Sequence, residues 1–499
     1  MIAETARQAP TEAEGSSTHR FLRNIAVLGG SQIVTWGLTL AWTIVVPRAV
    51  GPTGIGELTT AIAVTGIGST VLELGLAVLL VREIARDRSR APGLLGSAFA
   101  IEIALFPLAL LGIAIFIGVK GFSFEQSVVL WLGAFGMLPA ILKVPMQSAF
   151  QAFERMNFVG VTGILTKLGG SVGGIALVLL GAGVIPLAAL VLTVESATLW
   201  LNFHWVRRLT YIDWKPGFRR AAELGRASLP LFANYLIHNT YTWIGSVLLA
   251  VLTTAQAVGW YGISTRLLNT LFFLPAIVST AFLPRLASGF DGDLRELQAR
   301  ARPTFELVLA VSLPIAAGAA LVAGQAIHFV YGSEFMPAAN VLVVLLVSLP
   351  FTFLNISVWQ VLVASDRQVL WTKVTAVATA LNIALSIALI RDFSVRFGNG
   401  ALGAAAALTT TEILMAGVGL IILPRLFNQR SVLRWIRAGA ATLGMAIVVL
   451  ATRRFELEVE IPVGALTFVI LGTAFQVFSV SELRTLRTAI VHRRGATTG

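Results

Sequence analysis

The chain has 499 residues, of which 56% are apolar and only 12% are charged, and its mean hydropathy is +0.82. Soluble globular domains carry about 25% charged residues, so this composition indicates a protein that resides in a lipid bilayer. No cysteine occurs, which excludes disulfide frameworks, thiolate metal sites and cysteine nucleophiles. The five histidines do not group at ligand spacing, and we expect neither a metal site nor a cofactor.

About fourteen segments of the chain are apolar enough to cross a bilayer, and each crossing needs roughly 20 such residues. Residues 1–19 lack an apolar stretch, so we expect a disordered cytoplasmic tail over 1–20 rather than a signal peptide. The expected spans are 24–47, 57–80, 93–118, 127–150, 157–180, 184–206, 227–252, 258–284, 303–329, 338–363, 369–390, 401–424, 436–452 and 461–480.

The net charge of +12 comes from basic residues in the short connections between these spans. When successive connections are placed on alternate sides, 28 of the 37 Lys and Arg residues fall on one side and 6 on the other. Cytoplasmic loops carry the excess of Lys and Arg, so both termini are expected in the cytoplasm. Because these residues form no continuous basic face, a nucleic-acid partner is not expected. We predict a multi-pass protein of the cell membrane (inner or plasma membrane).

The connection 207–226 is the longest and most basic internal loop, and it separates two sets of six spans. Both halves carry an Ala-Val-Gly-x-x-Gly-Ile turn at the first outer corner, at Ala49–Ile55 and Ala257–Ile263. An even number of spans gives both halves the same orientation, which is typical of parallel transporter repeats related by a pseudo-two-fold axis. We therefore expect an all-α polytopic fold with a tail at 1–20, an N-lobe at 21–206 (spans 1–6), a cytoplasmic linker at 207–226, a C-lobe at 227–427 (spans 7–12), and spans 13–14 with a cytoplasmic tail at 428–499.

Several short motifs keep a fixed order relative to the spans. Arg48-Ala-Val-Gly-Pro-Thr-Gly-Ile-Gly56 follows span 1, and Glu73-Leu-Gly-Leu76 and Arg82-Glu-Ile-Ala85 end span 2. In the second half, Val258-Gly-Trp-Tyr261 precedes span 8 and Tyr331-Gly-Ser-Glu-Phe335 follows span 9. In these motifs the chain resembles the polysaccharide-export flippases of the multidrug/oligosaccharidyl-lipid/polysaccharide exporter superfamily.

Two departures from the superfamily pattern are visible. Many relatives carry an Asp in the middle of span 7, where this chain has Thr242-Trp-Ile-Gly245. The Asp-Ala-Phe element of the sister lipid II flippases is missing at Gly56-Glu-Leu-Thr59.

The resemblance implies a transporter and not an enzyme. Such proteins move polyprenyl-pyrophosphate-linked oligosaccharides from the cytoplasmic to the outer leaflet for surface polysaccharide, such as O-antigen, exopolysaccharide or capsule. It further implies alternating access through a central cavity between two six-helix lobes. Polymerase and chain-length proteins of the same pathway would then be partners, together with the lipid-linked substrate and the bilayer.

Only three basic residues lie more than five residues from both ends of their spans, namely Lys143, Lys167 and Arg266. A charge in hydrocarbon is costly, so each is a candidate for function. Pyrophosphate is bound by the Lys point charge and by the bidentate Arg fork. We therefore expect Arg266, Lys167, Arg48 and Lys143 to form a cationic substrate site. The alternative is that these cations pair with embedded acids, for instance Lys167 with Glu195, and only hold helices in register.

The embedded acids Glu73, Glu102 and Glu195 are candidates for ion coupling, because burial disfavours the charged form of a carboxylate. The alternative is a structural partner for a Lys or Arg. On span 7, a polar group that could face a sugar consists of Asn234, His238, Asn239 and Tyr241. Interhelical hydrogen bonding is the competing interpretation for these four residues.

Two other functions remain open from the sequence. An ion-coupled drug or small-molecule exporter of the same superfamily would have the same spans, but its cationic substrates fit poorly beside Lys167 and Arg266. A polytopic polysaccharide polymerase or ligase would handle the same lipid-linked sugars. Such enzymes generally need a large external loop, and no outer connection here exceeds about ten residues.

Overall fold

The fold is described from a computed structural model of the chain, which covers residues 12–215, 217–273, 275, 286, 292–452 and 457–477, with side chains from residue 37 onward. All the regular secondary structure in these residue ranges is helical. The α-helices are α1 Glu12–Glu73, α2 Leu76–Arg86, α3 Ala91–Lys120, α4 Phe124–Ala152, α5 Met156–Leu179, α6 Val184–Val206, α7 Phe218–Leu252, α8 Ala255–Thr270, α9 Leu294–Tyr331, α10 Met336–Ala364, α11 Gln368–Phe397, α12 Gly400–Ile422, α13 Gln429–Ala451 and α14 Leu457–Ala474.

Twelve segments of the described chain are helical, long and apolar enough to cross a membrane. The fold is therefore all-α and polytopic, as expected from composition. The first segment, Gly37–Arg86, is 50 residues long and takes in expected span 57–80 and the end of 24–47. The expected span 258–284 and the end of 461–480 lie partly outside the described residues, as do residues 1–11 and 478–499 of the expected tails.

The kink in α1 lies at the turn motif that follows the first expected span. Gly51 has φ 69° and ψ 179°, a backbone conformation that is essentially restricted to glycine. Pro52 follows and fixes its own φ near the helical value. The chain therefore bends at Gly51 and continues directly into the second half of α1.

The Glu-Leu-Gly-Leu motif is the break between α1 and α2. Leu74 and Gly75 both have left-handed φ values, of 49° and 70°. A Cβ on Gly75 would lie 2.8 Å from the backbone nitrogen of Phe232. Glycine is thus required here for its φ and for the close approach of α7.

The loop after α2 is held by local polar contacts. The carboxylate of Glu83, which belongs to the Arg-Glu-Ile-Ala motif, accepts a hydrogen bond from Arg90 at 2.9 Å and pairs with Arg86 at 3.6 Å. The hydroxyl and amide of Ser89 donate to the exposed Asp87, and these hydrogen bonds lower the pKa of its carboxyl below its usual value. The motif therefore shapes a turn between two spans.

The described chain forms two compact units. Unit 1 takes its residues from Met1–Val50 and Gly68–Phe232. Within it, α4 packs against α2, α3, α5 and α6. Its apolar core centres on Phe150, Leu80 and Leu95, each essentially inaccessible to solvent.

Unit 2 takes its residues from Gly51–Ile67 and Ala233–Gly499. In it, α10 packs against α8, α9 and α12, and α11 packs along α12. A core around Phe305, Val358 and Trp371 fills one end of these helices. The last two helices, α13 and α14, pack against each other and against α9 through Met445 and Phe468.

Residues 51–67 of α1 belong to unit 2 because they pack on α8 with their backbones in contact. A Cβ on Gly56 would overlap the carbonyl oxygen of Ala255, and a Cβ on Gly259 would overlap the carbonyl oxygen of Pro52. Small residues permit this distance between membrane helices. The two corner sequences that resemble each other in the sequence therefore contact each other directly.

Candidate functional site

A cavity of about 420 Å³ lies within unit 2, between α7, α10, α11 and α12. This volume is within the range of roughly 300–1,000 Å³ that is typical of small-molecule sites. The cavity is lined by polar side chains as well as by aromatic rings. Its ring-bearing residues are Tyr235, His238, Tyr241, Trp359 and Trp371.

The carboxylate of Glu412 on α12 organises one wall of the cavity. It accepts a hydrogen bond from the Tyr241 hydroxyl at 2.7 Å and another from the Asn355 side-chain amide at 2.8 Å. The Asn355 amide also donates to the backbone oxygen of Glu412 at 3.1 Å. These contacts tie α7, α10 and α12 together through neutral donors, and each carboxylate oxygen retains further acceptor capacity.

The remaining polar lining comes from residues spaced along single helix faces. On α10, Thr352, Asn355 and Trp359 follow one another at intervals of three and four residues, which gives them a common face. On α11, Trp371 and Thr375 are separated by four residues in the same way. These residues were not predicted as part of the site, although polar residues at helical spacing inside an apolar span are a usable signal.

Of the four polar residues expected to face a sugar on span 7, three line the cavity and one does not. Asn234, His238 and Tyr241 line the cavity, and the Asn234 amide donates to the Thr372 hydroxyl at 2.6 Å. Asn239 instead donates to the backbone oxygen of Tyr235 at 3.2 Å and lies outside the cavity lining. The spacing from 234 to 238 to 241 accounts for the shared face.

In unit 1, Lys143 forms a closed ion pair. It is buried, its ammonium contacts the carboxylate of Glu195 on α6, and it donates to the Thr198 hydroxyl at 3.0 Å. The partner of Glu195 is therefore Lys143 rather than Lys167. A buried charge that is paired and hydrogen-bonded in this way is satisfied without a ligand.

Glu102, another embedded acid of unit 1, is fully buried, with 0% of its surface exposed. Neither of its carboxyl oxygens has a hydrogen-bond partner among the described atoms. The carboxyl of Glu73, at the end of α1, is the acidic group with which the Glu102 carboxyl interacts electrostatically. A buried carboxyl without a partner is costly as an anion.

The other expected cations lie on three different helices. Arg266 is half-buried on α8, with Tyr331 of α9 as an electrostatic neighbour. Lys167 is exposed on α5 and Arg48 is exposed on α1, three residues before the kink. Arg266 belongs to unit 2, whereas Lys167 and Arg48 belong to unit 1. The described residues contain no group of three or more His, Cys, Asp or Glu side chains that could hold a metal ion.

The sequence profile of a family described as "Polysaccharide biosynthesis protein" matches residues 21–290. This match covers more than half of the chain, and the protein therefore belongs to this family of membrane transporters rather than to a class of enzymes. The chain is also 24% identical over 357 residues to the probable low-salt glycan biosynthesis flippase Agl15 of Haloferax volcanii. That alignment covers 70% of this chain and 73% of the relative.

Solved structures of the multidrug/oligosaccharidyl-lipid/polysaccharide (MOP) exporter superfamily have the same fold. The lipid II flippase MurJ, in an inward closed conformation, is similar with a TM-score of 0.76 and 14% identity, over 90% of this chain and 98% of that chain. An inward-facing multidrug resistance MATE transporter is similar with a TM-score of 0.65 and 16% identity, over 78% and 94% of the two chains. At these identities the likeness concerns the fold alone.

Proposed function

We propose that this protein is a flippase that moves polyprenyl-pyrophosphate-linked oligosaccharides across the cell membrane for the synthesis of a surface polysaccharide. The observation that carries the proposal is the family match over residues 21–290. A curated glycan flippase aligned with 70% of the chain supports the same substrate class. Transport runs from the cytoplasmic to the outer leaflet by alternating access, and O-antigen, exopolysaccharide and capsule are the candidate products.

The proposal includes a specific topology. The chain crosses the membrane fourteen times, as two six-helix lobes in parallel repeat followed by two C-terminal helices, and both termini are cytoplasmic. The support for this orientation is the distribution of the basic residues, with 28 of 37 on the cytoplasmic side. Polymerase and chain-length proteins of the same pathway are its proposed partners.

Arg266 is the proposed principal contact for the pyrophosphate. Its half-buried guanidinium within a span can hold phosphate oxygens bidentately. Lys167 and Arg48 are exposed and can add charge attraction. Lys143 has a smaller part in this proposal, because its ammonium is already bound to Glu195 and Thr198.

Ion coupling is assigned, as a proposal, to Glu73 and Glu102. The support is the full burial of Glu102 and the absence of a hydrogen-bond partner for its two oxygens among the described atoms. Such a carboxyl can take up and release a proton as its surroundings change. Glu195 is the weakest of the three candidates, because its carboxylate already neutralises the ammonium of Lys143.

Deletion of the gene tests the proposed function. The surface polysaccharide should disappear, and lipid-linked repeat units should accumulate in the cytoplasmic leaflet.

Complementation of the deletion strain with variants tests the role of Arg266. The Arg266→Ala variant should not restore export although its membrane level is normal. The Arg430→Ala variant, at an exposed arginine in the first turn of α13, should restore it. Full export by Arg266→Ala would remove the assigned role of this residue. Hypersensitivity to drugs with intact polysaccharide would identify a drug exporter instead.

A further inference from the structure

We infer that the cavity of unit 2 is a binding site for a saccharide unit of the transported molecule. The site contacts the hydroxyl groups of the sugar and does not bind the pyrophosphate. This inference rests on the proposed function and names the part of the substrate that the cavity receives. It follows from the chemistry of the lining, which discriminates between the parts of a lipid-linked oligosaccharide.

The lining does not suit the pyrophosphate or the lipid. No Lys or Arg is among the described residues that line the cavity, although phosphate recognition in proteins depends on such cations. A hydrocarbon chain would leave the remaining donor and acceptor capacity of the amides, hydroxyls and carboxylate of this lining unused, which is costly. The part of the substrate that is both uncharged and polar is the sugar.

The lining offers what a sugar ring requires. Hydroxyl groups of a sugar both donate and accept, and the cavity presents acceptors on Glu412, donors and acceptors on Asn234, and hydroxyls on Thr352 and Thr375. The rings of Trp359 and Trp371 provide apolar surface for the C–H faces of a sugar. The volume of about 420 Å³ is suited to a ligand of one or two rings.

The contacts of Glu412 prepare its carboxylate to accept hydrogen bonds from the hydroxyl groups of a sugar. Both oxygens of its carboxylate already accept hydrogen bonds from neutral donors, the hydroxyl of Tyr241 and the amide of Asn355. These bonds stabilise the carboxylate and hold it in place. The remaining lone pairs of the two oxygens can accept from hydroxyl donors.

Two threonines on α11 form a matched pair for the test. The Thr375 hydroxyl lines the cavity and donates to the Trp371 backbone oxygen at 3.0 Å. Thr379, one turn further, donates to the Thr375 backbone oxygen at 2.7 Å and is outside the cavity lining. The two residues are 8% and 7% exposed and each donates one hydrogen bond to a backbone oxygen, so we expect a similar structural cost for their replacement by valine.

The probe is the oligosaccharide that mild acid releases from the lipid-linked repeat units of the deletion strain. Its affinity for the purified full-length protein is measured by calorimetry, beside farnesyl pyrophosphate and tetraphenylphosphonium as lipid-phosphate and cation comparators. Thr375→Val should weaken oligosaccharide binding by about fivefold to tenfold, since one hydrogen bond is lost. It should leave farnesyl pyrophosphate binding unchanged, and Thr379→Val should bind all three probes as the wild type does.

The outcomes separate this inference from the proposed function. If lipid-linked units accumulate but the wild type does not bind the released oligosaccharide, or if both valine variants bind it equally well, the saccharide site is wrong and the flippase function stands. Tighter binding of tetraphenylphosphonium than of oligosaccharide, weakened by Thr375→Val, would assign the cavity to a cation instead. If no lipid-linked units accumulate, the proposed function fails and this inference fails with it.

Discussion

In unit 1 the ammonium of Lys143 meets the carboxylate of Glu195 and the hydroxyl of Thr198, whereas in unit 2 the carboxylate of Glu412 accepts from two neutral donors. The first arrangement neutralises both charges without a ligand. The second holds a carboxylate beside a cavity and keeps acceptor capacity for one. Burial of a charge inside a membrane protein therefore indicates function only when its partners are known.

The ion pair of unit 1 should be the more sensitive of the two to single changes. Lys143→Met leaves the half-buried carboxylate of Glu195 without its cation, and the expected loss is roughly 3–5 kcal/mol in the free energy of unfolding. Thermal unfolding of the purified protein in detergent measures this loss. The double variant Lys143→Met/Glu195→Gln should recover most of it, and an equally unstable double variant would show that the pairing is not the cause.

The Glu412 contacts should be less costly to break, because their donors are neutral. Tyr241→Phe removes one hydrogen bond to a carboxylate and should destabilise unit 2 by about 1.5–3 kcal/mol. The measurement is again thermal unfolding, with Tyr235→Phe as the matched change on the same helix, since no hydrogen bond is described for the Tyr235 hydroxyl. Equal unfolding temperatures for the two variants would contradict the assigned role of the Tyr241 hydroxyl.

Glu102 should behave differently from both of these carboxyl groups. Glu102→Gln keeps the shape of the side chain and removes a carboxyl whose oxygens have no partner among the described atoms. Its stability should change by less than about 1 kcal/mol, because no contact is lost. Export should nevertheless fall if this carboxyl carries the coupled proton. Wild-type export by a stable Glu102→Gln protein would remove Glu102 from the coupling proposal.

The smallest structural effect is expected at His238, which lines the cavity but is exposed. His238→Ala should change stability by no more than about 0.5 kcal/mol, as is usual for exposed positions. Its effect should appear in the binding of the released oligosaccharide, which should be weaker than for the wild type. His204→Ala, at the exposed histidine of α6, should match the wild type in both measurements.

The sequence predicted the helical class and the turn motifs. The length of an apolar segment predicts a span, and the pair Gly51-Pro52 predicts the kink in α1. Both are local properties of the chain. The spacing of Asn234, His238 and Tyr241 places them on one face of a helix, which is a local property as well. In each case the signal lay within a single stretch of the chain.

The contacts between helices, in the cavity and in the ion pair, could not be derived in this way. The bond from Asn355 to Glu412 joins α10 to α12, and Lys143 reaches Glu195 from α4 to α6. Which helices are neighbours depends on packing between distant segments, and spacing along the chain does not encode it. The alternative pairing of Lys167 with Glu195 was wrong for this reason.

Translocation by the purified protein is the most direct test of the flippase function. The full-length chain is reconstituted into vesicles that carry the lipid-linked oligosaccharide of the deletion strain in both leaflets, and membrane-impermeant periodate is added outside. The wild type should expose the inner-leaflet oligosaccharide to oxidation within minutes, while protein-free vesicles and Arg266→Ala should leave it protected. Oxidation confined to the outer leaflet in the presence of folded wild-type protein would contradict the proposed function.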